Sequence, residues 1–173
     1  MKPEDDHAAL WLETSRGFWP NENWIMAASN VVAILPLYNI LFLMGDITTF
    51  FIVLNVAFAS FFSHLFECHK HGMPGYGLSP YISFLLNRWD VAGCFLLIIR
   101  FIYLCGVFYL FDPVQILFIG RFGFTILSVG FVFLGISEYD KYNPDLKYIY
   151  IPCHLTWHFL AFIGISEVFT TLF

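Results

Sequence analysis

ITTFFIVLNVAFASFFSHLFEC, residues 47–68, carries one acidic side chain, Glu67, in 22 positions. The run is apolar on all sides and shows no period-two alternation, which argues against a barrel strand and for a helix. At 1.5 Å per residue such a helix is about 33 Å long, enough to cross a hydrocarbon core of about 30 Å. Near its end stand Ser60 and His64, four apart and therefore on one helical face. Polar and ionisable groups in hydrocarbon are costly unless paired or bound to something.

Four further apolar segments have spanning length: Trp24 to Met44, Trp89 to Phe111, Val114 to Ile136 and Tyr148 to Phe173. Turn signals separate them at Gly45-Asp46, in the Gly/Pro-rich stretch 71–80, at Asp112-Pro113, and in the polar run 137–147 with Asn143-Pro144. The expectation is an all-α, polytopic transmembrane helix bundle of about five spans. It fills residues 24–173 and follows an N-terminal stretch, residues 1–23. Of 173 residues, 59% are hydrophobic and 12% charged, against about 25% charged in soluble domains. No internal repeat is visible. Met1 to Asp6 is acidic and precedes no apolar core, unlike a signal peptide. Residues 8–18 form either a short interfacial helix anchored by Leu10, Trp11 and Phe18 or a disordered tail.

The charge pattern orients the bundle. Lys2, Arg16, Lys70, Arg88, Lys141 and Lys147 all fall on the side bearing the N-terminus and the 69–88 and 137–147 loops; the opposite side has no Lys or Arg. By the positive-inside rule that first side faces cytosol or matrix. Trp11, Trp19, Trp24 and Trp89 crowd it too, as an interfacial belt does. Arg100 and Arg121 lie inside segments and read as structural, with Glu167 at a depth suited to pair with Arg121. The net charge of -5 gives no support for nucleic-acid binding. Cys68, Cys94, Cys105 and Cys153 follow no metal-finger spacing and read as buried thiols rather than disulfides.

Threading the segments brings five polar residues to one depth on the basic side. Ser60 and His64 close the second segment, Asp90 opens the third, and His154 and His158, again four apart, enter the last. Three imidazoles with a carboxylate and a hydroxyl suit a metal site with an open coordination position. Other readings stay open at single positions. His64 alone would suit a hydrogen-bonded packing role, Ser60 and Ser63 could bond back to helix carbonyls, and Asp90 could cap the third helix or pair with Arg88. Glu67 is placed to accept a hydrogen bond beside the site. His7, His69 and His71 read as solvated, with His69 or His71 as alternative ligands.

In order, Ser60-Phe-Phe-Ser-His64, Arg88-Trp-Asp90-Val-Ala-Gly93 and His154-Leu-Thr-Trp-His158 resemble the motifs of the CREST superfamily. That group includes alkaline ceramidases, adiponectin-type receptors and myomaker-like membrane proteins. The loop Cys68-His-Lys-His-Gly-Met-Pro-Gly75 is most similar to the myomaker-like branch. The resemblance covers roughly residues 47–160. It implies a zinc ion held by His64, His154 and His158, with Asp90 orienting or deprotonating a bound water and Ser60 hydrogen-bonding around the site. It further implies a lipid amidase or esterase acting on a ceramide-like or phospholipid substrate. The family has seven spans where five are expected here, so the alternative is a non-catalytic membrane subunit packed against other membrane proteins, its zinc site kept for structure or lost.

Overall fold

The computed structural model describes residues 21–68, 71, 73, 75 and 78–173. The N-terminal residues 1–20, with the expected interfacial helix, and His69 lie outside the described residues. The described chain is all-helical. Its helices are α1 (Glu22–Met44), α2 (Ile47–Leu65), α3 (Pro80–Tyr109), α4 (Pro113–Ile119), α5 (Arg121–Ser137) and α6 (Lys147–Leu172). Four apolar helical stretches are long enough to cross a membrane, and the bent pair α4–α5 makes a fifth if counted as one span. Large apolar side chains such as Phe42, Phe51, Phe95, Ile99, Phe122 and Phe131 are exposed around the bundle. That perimeter suits lipid and fits an integral membrane protein.

Local chemistry explains the element boundaries. α1 passes from α-helix through 3-10 turns at Ser29–Ala33 to a π-helical end at Asn39–Met44; Pro36, which has no N–H to donate, sits between these irregular stretches. Gly45 adopts a left-handed φ of 69° that ends the helix. Asp46 then caps α2 by accepting from the Thr49 N–H at 3.0 Å. The same carboxylate pairs with Arg100 of α3 at 2.8 Å, which accounts for a guanidinium inside an apolar helix.

Two expected boundaries need correction. α3 starts at Pro80, not Trp89: Ser79 caps it and Pro80 occupies the first turn, a start signal outweighed in the sequence by the polar Asn87 and Arg88. Asp90 therefore lies about 15 Å into the helix and does not cap it. The expected continuous span Val114 to Ile136 is bent by 81° between α4 and α5. Gly120, a poor helix former, marks the break. Arg121 turns back there, its Nη1 donating to the Phe118 carbonyl at 2.8 Å and its guanidinium lying over the Phe118 ring. Arg121 thus serves the break rather than pairing with Glu167.

Contacts along the bundle set its topology. α1 and α6 run parallel, tied by Glu22–Lys147 at one end and by the Asn39 amide donating to Ser166 Oγ farther along. α2 and α3 pack antiparallel, with Gly93 pressed against Asn55 and Val56. α5 and α6 also pack antiparallel and very closely: a Cβ on Gly123 would stand 2.8 Å from the Val168 backbone nitrogen. Small residues permit this approach, as is usual between membrane helices. An apolar core of Ile40, Val53, Val56, Leu97, Leu104 and Phe169 fills the half of the bundle near Gly45. Most of the buried polar residues, His64, Glu67, His154 and His158 among them, gather in the other half, while Thr49 and Ser166 lie in this one. All four cysteines are free thiols, as expected, but only Cys105 is buried; Cys68 and Cys153 are half-buried and Cys94 is exposed.

Candidate metal centre

His64, four residues from Ser60 on α2, meets His154 and His158 of α6 inside the bundle. All three are buried, at 1%, 5% and 4% exposure. Their ring centroids form a near-equilateral triangle with sides of 4.7, 4.8 and 4.9 Å. One ligand nitrogen from each lies within 4.8 Å of the others. Among the described residues this is the group of His, Cys and carboxylate side chains arranged to hold a metal ion. The i, i+4 spacing on α6 puts His154 and His158 one above the other, and the antiparallel neighbour α2 brings His64 against both.

The hydrogen bonds around the triangle fix how each ring presents itself. Ser29 donates its hydroxyl to the Met26 carbonyl and stands 2.5 Å from His158 Nδ1. Ser137 donates to the Leu134 carbonyl and stands 3.0 Å from His154 Nδ1. A hydroxyl has one proton, so both serines accept from the imidazoles. Glu67 Oε2 accepts from His64 Nδ1 at 3.1 Å. Each Nδ1 therefore carries the proton, and each Nε2 keeps a lone pair. His64 Nε2 is buried with no hydrogen-bond partner, an arrangement that calls for an ion or a water. Ligand histidines typically donate their second N–H in this way, which fixes tautomer and orientation. The residues fit a metal ion: three neutral imidazoles offer three nitrogen donors, each within 4.8 Å of the others.

Ser60 belongs to the centre, its Oγ 3.5 Å from His158 Nε2, a contact at the outer limit of hydrogen bonding. Its hydroxyl does not bond back to the helix, and Ser63 Oγ is buried without a partner. Asp90 is not a member of the histidine group. It shares a helical face with the buried Ser83 and Leu97, the face turned toward α2, and is itself half-buried. His71, expected to be solvated, is fully buried instead. Its ring nitrogens face the carbonyls of Ser137 at 3.0 Å and Asn143 at 3.1 Å, so it joins two loops and is no ligand of the group.

Sequence reasoning missed the residues that hold the centre in place. Asn23, fully buried in α1, donates to the carbonyls of His64 at 2.7 Å and Glu67 at 2.9 Å and accepts from Gly75 N–H. It thereby satisfies carbonyls left open at the end of α2. Ser29, Ser137 and Tyr150 were likewise unmarked. Serines and tyrosines in apolar helices are common, and only the folded arrangement separates these from the rest.

Fold and centre together define an all-helical protein of membrane-spanning type with a buried three-histidine cluster able to hold a metal ion. The chain is 45% identical over 149 residues to "Uncharacterized protein L282" of Acanthamoeba polyphaga mimivirus, covering 79% of this chain and 89% of that one. The chain belongs to the family of that viral protein. No protein-family model matches it, and no solved structure does either.

Proposed function

We propose that this protein is a zinc-dependent intramembrane lipid hydrolase of the CREST type, cleaving an amide or ester of a ceramide-like lipid or phospholipid. The observation that carries the reading is the triangle of buried imidazoles with every Nδ1 proton already engaged. His64, His154 and His158 would hold the ion. Bound zinc supplies a water with a pKa near 7 and polarises a carbonyl. The surrounding bundle excludes bulk water, which strengthens the electrostatics inside. Ser60 Oγ, beside His158, offers a hydrogen bond to a substrate oxygen. Asp90, on the α3 face turned to α2, is the proposed proton acceptor at its carboxylate. The basic side of the bundle, with the centre in that half, faces cytosol or matrix in this reading.

A second reading is favoured by the place of Asp90 outside the histidine group: a membrane subunit whose metal is structural and whose exposed phenylalanines pack against protein partners. Metal analysis of the purified protein and a lipid panel separate the two. Asp90→Asn should lower fatty-acid release by about 10²–10⁴-fold if Asp90 is the base, with zinc content unchanged. Full zinc occupancy with no turnover of any ceramide or phospholipid would leave the subunit.

A further inference from the structure

Glu67 sets His64 apart from the other two imidazoles. Of the three groups that accept an Nδ1 proton, Ser29 and Ser137 are neutral and Glu67 alone is a carboxylate. Glu67 is fully buried. One oxygen, Oε2, receives both His64 Nδ1 at 3.1 Å and the Tyr150 hydroxyl at 2.6 Å. Tyr150 is itself immobilised: its ring stacks on His71 at 4.5 Å and lies 5.2 Å from His154. The Glu67 backbone is held as well, by its own N–H on the His64 carbonyl and by the Asn23 amide.

Resting on the reading that the cluster holds a divalent ion, we propose that Glu67, aimed by Tyr150, is a positioning residue. It makes His64 the strongest of the three donors and supplies negative charge beside the ion. Three neutral imidazoles leave a dication uncompensated in a low-dielectric interior, where isolated charge is strongly disfavoured. A carboxylate one imidazole away raises the basicity of the ligand and offsets the charge without occupying a coordination position. The fourth position then stays open for water or substrate. Imidazole donors backed in this way favour zinc, cobalt, nickel or copper over calcium and magnesium, which prefer oxygen.

Cobalt(II) is the probe, titrated into the full chain in detergent micelles and followed by its visible absorption, with zinc competition as a second measure. Glu67→Gln keeps an amide oxygen for His64 and removes the charge. It should bind cobalt about 10–100-fold more weakly, while nitrogen NMR shows His64 still protonated on Nδ1. Tyr150→Phe, which keeps the stacked ring, should lose less, and Ser29→Ala and Ser137→Ala should each lose less than Glu67→Gln. The metal-free unfolding midpoint of Glu67→Gln should stay near that of the wild type. Wild-type affinity in Glu67→Gln would overturn the role of Glu67 and leave the metal centre standing. Failure of the wild type to take up cobalt or zinc would overturn both.

Discussion

His158→Ala removes one corner of the imidazole triangle, and its effect on metal-dependent stability follows from the geometry. Tetrahedral zinc with Zn–N bonds of 2.0–2.1 Å needs its nitrogens about 3.3–3.4 Å apart. The three nitrogens already lie within 4.8 Å, so small ring rotations close the site without moving a helix. Structural zinc sites bind with about 10–16 kcal/mol over four ligands, or roughly 2.5–4 kcal/mol for each. Losing one ligand should then weaken binding by about 10²–10³-fold. A ligand at 100 times its Kd stabilises the native state by about 2.7 kcal/mol. At the same free zinc, a variant with Kd raised 10²–10³-fold gains less than about 0.5 kcal/mol. Denaturant unfolding in micelles, with zinc and with chelator, measures both. The cavity left by the missing ring affects both conditions equally and cancels in the difference. Equal zinc stabilisation of His158→Ala and wild type would refute the three-histidine centre.

Other perturbations test the scaffold. Gly123→Ala puts a Cβ 2.8 Å from the Val168 backbone nitrogen and should cost about 1–3 kcal/mol; Gly135→Ala, with nothing within 4 Å, should be neutral or gain up to about 1 kcal/mol in helix propensity. The two unfolding midpoints should therefore separate, and equal midpoints would mean that α5 and α6 are not in contact at Gly123. Burial raises the Asp46 pKa, but the Thr49 and Arg100 hydrogen bonds outweigh it and hold the carboxyl below its ordinary range. A lowered folded pKa gives stability that is present above about pH 4 and lost as pH falls through the folded value. Arg100→Met should flatten that acid limb, and an unchanged limb would exclude the ion pair as its source. Labelling at Lys147 and at Phe173→Cys should occur from opposite faces of the membrane; labelling of both from one face would rule out the five-span topology.

Much of the architecture was legible because hydrocarbon imposes a long-range rule on a local sequence. Runs of about 20 apolar residues must be helical to satisfy their backbone groups, and chain parity then sends His64, His154 and His158 to one depth. The i, i+4 spacing settled which pairs share a face. Helix ends were less legible: the Ser79-Pro80 start was hidden behind polar residues inside α3, and Gly120 gave no warning that its neighbours would bend by 81°. Capping and backbone satisfaction decide such points over a few atoms, below the resolution of a hydropathy pattern.

Depth, and which residues of one helix share a face, are what sequence alone determined about the centre; rotation of each helix about its axis came only from packing. The close glycine contact of α5 on α6 brings Ser137 to His154, and the parallel docking of α1 on α6 brings Ser29 to His158. Asn23 and Glu67 meet at the end of α2 although 44 residues separate them. Asp90 shows the other side of the same principle, since an early helix start carried it away from the cap position that its place in the sequence suggested. Composition and periodicity choose helices and their order along the membrane normal. Which side chains touch depends on steric fit between helix faces, and that is a property of pairs of segments that no single segment encodes.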